Sequence, residues 1–286
     1  MKIKISADST CDLSKELLEK YEVGILPLYV VRDGEDLRDG IDINQDELFD
    51  HHKKTGRLCS TSAISVADYH EYFSELLKEH DEIVHFIISS DMSACYQNAC
   101  IAAQDLKDKG NVYPVDSRNL STGIGLLVIN GAKLAAEGLS GAEILERVDA
   151  MKEKLDVSFL VDTLEYLHKG GRCSTIAALG ANILSLKPCI EVKNGKMGVG
   201  KKYRGGLHKC LLQYTKDRLD GATDIDTSCI FVTYSGGEGF SDDIWRDISR
   251  EVLKYQPFEN VYVTRTGCTV SSHCGPGTLG LLLLRK

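Results

Sequence analysis

Short apolar runs alternate with longer amphipathic stretches through the first half of the chain. Residues 3–7, 23–31, 83–88 and 112–115 carry the apolar, β-branched character of strands, and 83–88 is almost wholly apolar. Between them the pattern predicts helices. One runs to Tyr21 from a cap at Asp12 or Ser14, and one to Lys54 from Asn44-x-x-Glu47. A third covers 66–80 from Ser65-x-x-Asp68, and others cover 94–109, 122–137 and 140–154. Asp33-Gly34 to Gly40 reads as a polar turn. Short apolar strands alternating with helices imply a parallel sheet covered on both faces.

The second half has a different rhythm. Strands are expected over 157–161, 229–234, 261–265 and 279–284. Helices are expected over 164–168, 174–184, 207–219 and 241–254, the 174–184 stretch being rich in small apolar residues. Asn194-Gly195 stands between 188–193 and 196–203 and is the best hairpin signal in the chain. A hairpin among βα units suggests a mixed sheet. The fold class read from the chain is therefore α/β with two domains. The first, 1–155, is a three-layer domain on a parallel sheet, and the second, 156–286, carries a mixed sheet.

Composition narrows the function. The chain has 286 residues, 43% hydrophobic and 27% charged, with a net charge of −8. That balance disfavours a nucleic-acid partner, which needs a basic face. No apolar run approaches a membrane span, and the first residues have no apolar core long enough for a signal peptide. Ten cysteines are scattered without a Cys-x-x-Cys pair, as expected of reduced thiols in a cytoplasmic protein. No metal site is expected, because the adjacent His51 and His52 project apart on a helix. No cofactor is expected either.

Hydroxyl-bearing side chains are where the chemistry gathers. Residues 57–65 include Ser60, Thr61, Ser62 and Ser65, just before a helix start whose free N–H groups favour an anion. Asp8-Ser9-Thr10, Ser89 to Ser93 and Asp116-Ser117 follow predicted strands, and ligands of open parallel sheets sit beyond such strand ends. Capping and turn formation explain each of these stretches taken singly. Gly170-Gly171-Arg172 can bring a guanidinium to a phosphate or carboxylate, and His273 stands beside Gly275-Pro276-Gly277, read as a loop. Ser235-Gly236-Gly237-Glu238-Gly239 lacks the residues of a phosphate loop and reads as a turn. No Gly-x-Ser-x-Gly elbow is present.

Asp8-Ser9-Thr10, Thr61-Ser62-x-x-Ser65, Ser90-x-x-Ser93-x-x-Tyr96, Val115-Asp116-Ser117, Leu164-x-x-Leu167-x-Lys169-Gly170-Gly171-Arg172, Leu184-x-Leu186-Lys187-Pro188 and His273-x-Gly275-Pro276-Gly277 together resemble the DegV family. The motifs occur in the family's order and cover nearly the whole chain. Two departures are visible: Ala94 stands where the family usually has Gly, and Ala63-Ile64 where it often has Gln-Pro.

The resemblance implies a protein that binds one long-chain, palmitate-like fatty acid between its domains, with Thr61 and Ser93 holding the carboxylate. Ser9, Ser62, Ser65 and Ser117 would support them. Arg172 and His273 match positions associated with an acyl phosphate product. It further implies no catalysis by the chain alone: a separate ATP-binding kinase subunit acts on the carboxylate. A stand-alone lipid carrier and a serine/histidine acyl hydrolase or transferase are the alternatives. The stretches 174–184 and 157–161 are expected to line the acyl slot.

Overall fold

The computed structural model describes residues 2–179 and 186–286. The first half begins with β1 (Ile3–Asp8), a 3-10 turn (Ser9–Cys11), α1 (Lys15–Lys20), β2 (Gly24–Leu26), β3 (Tyr29–Arg32), β4 (Glu35–Arg38) and α2 (Gln45–Thr55). It continues through β5 (Ser60–Ser62), α3 (Val66–Leu76), β6 (Glu82–Ile87), α4 (Cys95–Asp105), β7 (Asn111–Asp116), α5 (Thr122–Ala136) and α6 (Gly141–Lys152). The second half contains β8 (Leu155–Leu160), α7 (Glu165–Gly170), a 3-10 turn (Ser174–Leu179), β9 (Leu186–Lys193), β10 (Lys196–Arg204) and α8 (Leu207–Leu219). It ends with β11 (Ile225–Tyr234), α9 (Asp242–Tyr255), β12 (Val261–Arg265), α10 (Cys268–Cys274) and β13 (Leu279–Arg285).

A four-stranded parallel sheet in the order β2-β1-β6-β7 carries the first half. Every residue of β6 is buried, as its apolar run requires of a central strand covered on both faces. One face packs on Tyr69, Phe73, Ala99 and Ala102 of α3 and α4, the other on α5 and α6. Three helix starts are fixed by capping boxes readable in the sequence, at Asn44/Glu47, Ser65/Asp68 and Ser140/Glu143.

The second half builds a mixed six-stranded sheet, β10-β9-β8-β13-β11-β12. Strand alternation gives it two unlike faces. Leu160, Leu281 and Val232 join α8 and α9 on one side. Phe159, Leu282 and Phe231 point the other way, into the core shared with the first half. Between the two sheets lies α5, buried over almost its whole length, as an all-round apolar helix must be. Asn194 and Gly195 turn the β9–β10 hairpin with φ of 51° and 81°. The hairpin tip is not free: Ser89 Oγ donates to the Gly195 carbonyl at 2.7 Å, and Arg118 Nη2 donates to that of Asn194 at 2.5 Å.

Several expectations need correction. The run 23–31 is two strands in different sheets, because Pro27 removes a ladder donor between them. The polar stretch 33–40 contains β4, which pairs with β3 across an Asp33-Gly34 turn. Ser60 to Ser62 form a strand, β5, against β3, giving a small third sheet β4-β3-β5. His273 lies in the last turn of a helix, α10, rather than in a loop. Ser174 to Leu179 form a 3-10 turn, and the rest of the expected 174–184 helix falls outside the described residues.

Candidate functional site

The parallel strands β1, β6 and β7 end together, so the segments after Asp8, Ile87 and Asp116 share one rim. This rim faces the mixed sheet across a cavity of about 240 Å³. Leu28, Ile88, Met92 and Leu120 come to it from the first half, and Phe159, Leu167, Val270 and Leu282 from the second. Val157 and Val161, expected in the slot, are core residues behind the wall; only Phe159 of that strand lines it.

Polar groups collect where β5, the Ser89–Ser93 segment, α7 and α10 meet. Thr61, Ser62, Ser93, Arg172 and His273 all line the cavity there. Thr61 Oγ1 and His273 Nε2 are 2.8 Å apart, a contact that joins residues 212 positions apart in sequence. The imidazole Nδ1 is sealed from solvent and has no partner among the described residues. It lies against Gly170, where a Cβ would come within 2.4 Å of it. Burial, and then the nearby Arg172 charge, lower the His273 pKa to about 4, so the ring is neutral near pH 7. Arg172 donates to the Gly170 carbonyl at 2.7 Å, and among the described residues no carboxylate pairs with it. Ser93 Oγ receives the Cys95 N–H at 3.3 Å and lies 3.1 Å from Cys95 Sγ.

Other expected residues do not reach the cavity. Ser65 is exposed and its hydroxyl is engaged in the α3 capping box. Ser9 Oγ accepts from Leu28 N–H and donates to Asp39, and Ser117 Oγ donates to the Asn119 carbonyl. These three hydroxyls brace the loops behind the site. Gly236, Gly237 and Glu238 of the Ser235–Gly239 segment line a separate open cleft with Phe49, His52 and Tyr166.

Sequence reasoning missed a second group of cavity residues: Ser121, Thr233, Thr266, Thr269, Thr278 and Gly280. It also missed what holds α10 in place. Asp39 accepts from the N–H groups of Cys268 and Thr269 at 2.7 and 3.0 Å, and Asp12 accepts from that of Gly267 at 2.7 Å. Ser121, strained at φ 54° and ψ −145°, donates its hydroxyl to Asp12 at 2.6 Å. Burial pushes the Asp12 carboxyl up to about 8 despite these hydrogen bonds.

A buried Ser6–His85–Asp8 chain, with contacts of 2.8 and 3.1 Å, has the residue types of a hydrolytic triad. All three residues are fully buried and none lines the cavity. Tyr69 Oη and the Ile88 N–H also bind Asp8, so the chain fixes α3 against the strand ends. Among the described residues no group of side chains could hold a metal ion, and no helix is long and apolar enough to cross a membrane.

A family model described as "Uncharacterised protein, DegV family" matches residues 2–286. The chain belongs to the DegV family. A DegV domain-containing protein of Caldanaerobacter subterraneus is 30% identical over 287 aligned positions, covering 100% of this chain and 99% of that one. Among solved DegV structures, the Thermus thermophilus protein, described by its fatty acid binding, has a TM-score of 0.88 at 31% identity over 100% of both chains. A stearic-acid-binding protein of Eubacterium ventriosum has a TM-score of 0.86 at 31% identity, covering 99% of this chain and 98% of its own. DegV of Bacillus subtilis, a fatty acid binding protein, has a TM-score of 0.82 at 26% identity over 100% of both chains.

Proposed function

We propose that this DegV protein binds one long-chain fatty acid, palmitate-like in length, and presents its carboxylate to a separate ATP-binding subunit that phosphorylates it. The reading takes 1–155 as the domain carrying the carboxylate site and 156–286 as the domain flooring the slot. It also places the protein in the cytoplasm, where its ten cysteines, all free, would stay reduced. The observation that carries the reading is a largely apolar cavity at one end of which Thr61, Ser93, Arg172 and His273 cluster. Fatty acid binding by the Thermus, Eubacterium and Bacillus relatives supports it.

Magnitudes divide the labour. A palmitate tail has about fourteen CH₂ groups, and at roughly 0.8 kcal/mol each their burial is worth about 11 kcal/mol before association costs. A neutral hydrogen bond nets about 1 kcal/mol. The tail therefore supplies affinity, while Thr61 and Ser93 fix where the carboxylate rests. Hydroxyls and a neutral imidazole also leave that carboxylate more electron-rich than a direct guanidinium pair would, which suits a nucleophile in phosphoryl transfer. Arg172, exposed at the cavity edge, is suited to the charge of the added phosphoryl group.

Protein purified from a bacterial host, denatured and extracted, should release one equivalent of a long-chain acid by mass spectrometry. Thr61→Val with Ser93→Ala should lower retention about thirtyfold, the equivalent of two hydrogen bonds of about 1 kcal/mol each. Lipid-free protein that also fails to take up added palmitate would refute the binding. Addition of an ATP-binding kinase subunit and ATP should yield acyl phosphate; retention without phosphorylation would leave a plain carrier.

A further inference from the structure

The inner wall of the cavity is more polar than a slot for hydrocarbon requires. Thr233 on β11, Thr266 between β12 and α10, and Thr269 in the first turn of α10 all line it. They are 3%, 4% and 3% exposed. Thr269 precedes His273 by four residues, about 6 Å of helical rise, so its hydroxyl is set apart from the carboxylate end.

Their hydrogen bonding does not close. Thr233 Oγ1 contacts Thr122 Oγ1 at 2.6 Å and Thr264 Oγ1 at 3.1 Å. Three hydroxyls carry three protons yet share two hydrogen bonds, and among the described residues none of the three donates to a carbonyl. Thr233 is the member on the cavity wall. Either atom of each pair can be the donor, and when Thr233 accepts from both neighbours its own proton is free to point into the cavity. Thr266 and Ser271 repeat the pattern, with two protons and one hydrogen bond of 2.7 Å. Thr269 Oγ1 is sealed from bulk solvent with no partner among the described residues. Buried hydroxyls are rarely left unpaired, because their desolvation then goes uncompensated.

Thr233 has a glycine as its neighbour on the adjoining strand. Cross-strand register places Gly280 between Phe159 and Thr233. A Cβ on Gly280 would come within 3.0 to 3.2 Å of the Ser158 carbonyl, Phe159 and Leu282. Only glycine fits this tightly packed position, so β13 puts no side chain between Phe159 and Thr233 on this face.

We propose that this wall receives a polar group part-way along the acyl chain, so that the ligand class extends to oxygenated long-chain acids bearing a hydroxyl or oxo group. The inference rests on the fatty-acid reading above. A uniformly apolar slot penalises a hydroxyl wherever it falls. A slot with spare donors at one depth penalises it everywhere except there.

Delipidated full-length protein is titrated with octadecanoate and with monohydroxylated octadecanoates whose hydroxyl is moved along the chain. Each affinity is read as a ratio to octadecanoate within the same variant. One mid-chain isomer should bind within about threefold of octadecanoate, and the others about tenfold or more weakly. In Thr233→Val with Thr269→Val the favoured isomer should drop about tenfold in that ratio, into line with the others; Thr269→Ser, which keeps the hydroxyl, should preserve it. An equal penalty at every position in the unaltered protein overturns the proposal, as does a favoured isomer that the double substitution leaves in place. Failure of octadecanoate itself to bind is a different result: it removes the fatty-acid reading, and this inference with it.

Discussion

His273 is held neutral by its surroundings, and that has a measurable sign. Its pKa is near 4 in the folded protein, against an ordinary value near 6.5. Between those values the unfolded chain takes up a proton that the native state refuses. Its contribution to stability is therefore present above about pH 6.5 and is lost as pH falls toward 4. NMR titration of the ring should show no protonation between pH 7 and about 5. Burial is the larger cause and the Arg172 charge the smaller, so Arg172→Ala should move the midpoint up while leaving it below the ordinary value. A midpoint that does not move would mean that the guanidinium is too well solvated to act on the ring.

Elements differ in where their instructions lie. The start of α3 is set by Ser65 and Asp68 alone, so Ser65→Ala should cost about 1 kcal/mol of stability in denaturant titration and leave lipid content unchanged. That helix was readable from the chain, as were the buried strand β6 and the Asn194-Gly195 hairpin. The helix α10 was not. Its Cys-Thr-Val-Ser-Ser-His-Cys sequence has poor helical propensity, and its N-terminal N–H groups are capped by Asp12 and Asp39, 255 and 229 positions away. Likewise β5 is a polar three-residue strand formed only because β3 lies beside it. The motifs pointed to Thr61, Ser93, Arg172 and His273, all of which line the cavity. They did not reveal which of the other hydroxyls, Ser9, Ser65 and Ser117, were already engaged in holding loops. Thr233, Thr266 and Thr269 carried no local signal, because their common surface exists only after the two sheets pack. Asp12 offers a test of how α10 is held. Its raised pKa means the native state keeps a proton that the unfolded chain releases above about 3.8. Stability from this group is full below that value and falls as pH rises toward 8. Asp12→Asn should remove that decline, so its stability relative to the unaltered protein should be higher at pH 9 than at pH 6.

At the scale of the whole molecule, the cavity interrupts a core that both halves share through α5. An occupant that fills it binds only the folded state. At one hundred times its dissociation constant such a ligand adds about 2.7 kcal/mol, so delipidated protein should melt roughly 5–10 °C lower than loaded protein by calorimetry. An unchanged melting temperature would mean that the cavity collapses when empty. The hairpin tip carries a further consequence for engineering. Exposed two-residue turns are usually the most permissive places to insert a tag or open a new chain end. At Asn194-Gly195 that expectation reverses. The turn is fastened by its carbonyls to Ser89 and Arg118, and Met197, just beyond it, forms part of the slot wall. A reporter domain spliced there would unseat the lipid, whereas the same insertion at the unconstrained Gly138 bend, where a side chain would meet nothing within 4 Å, would leave it in place.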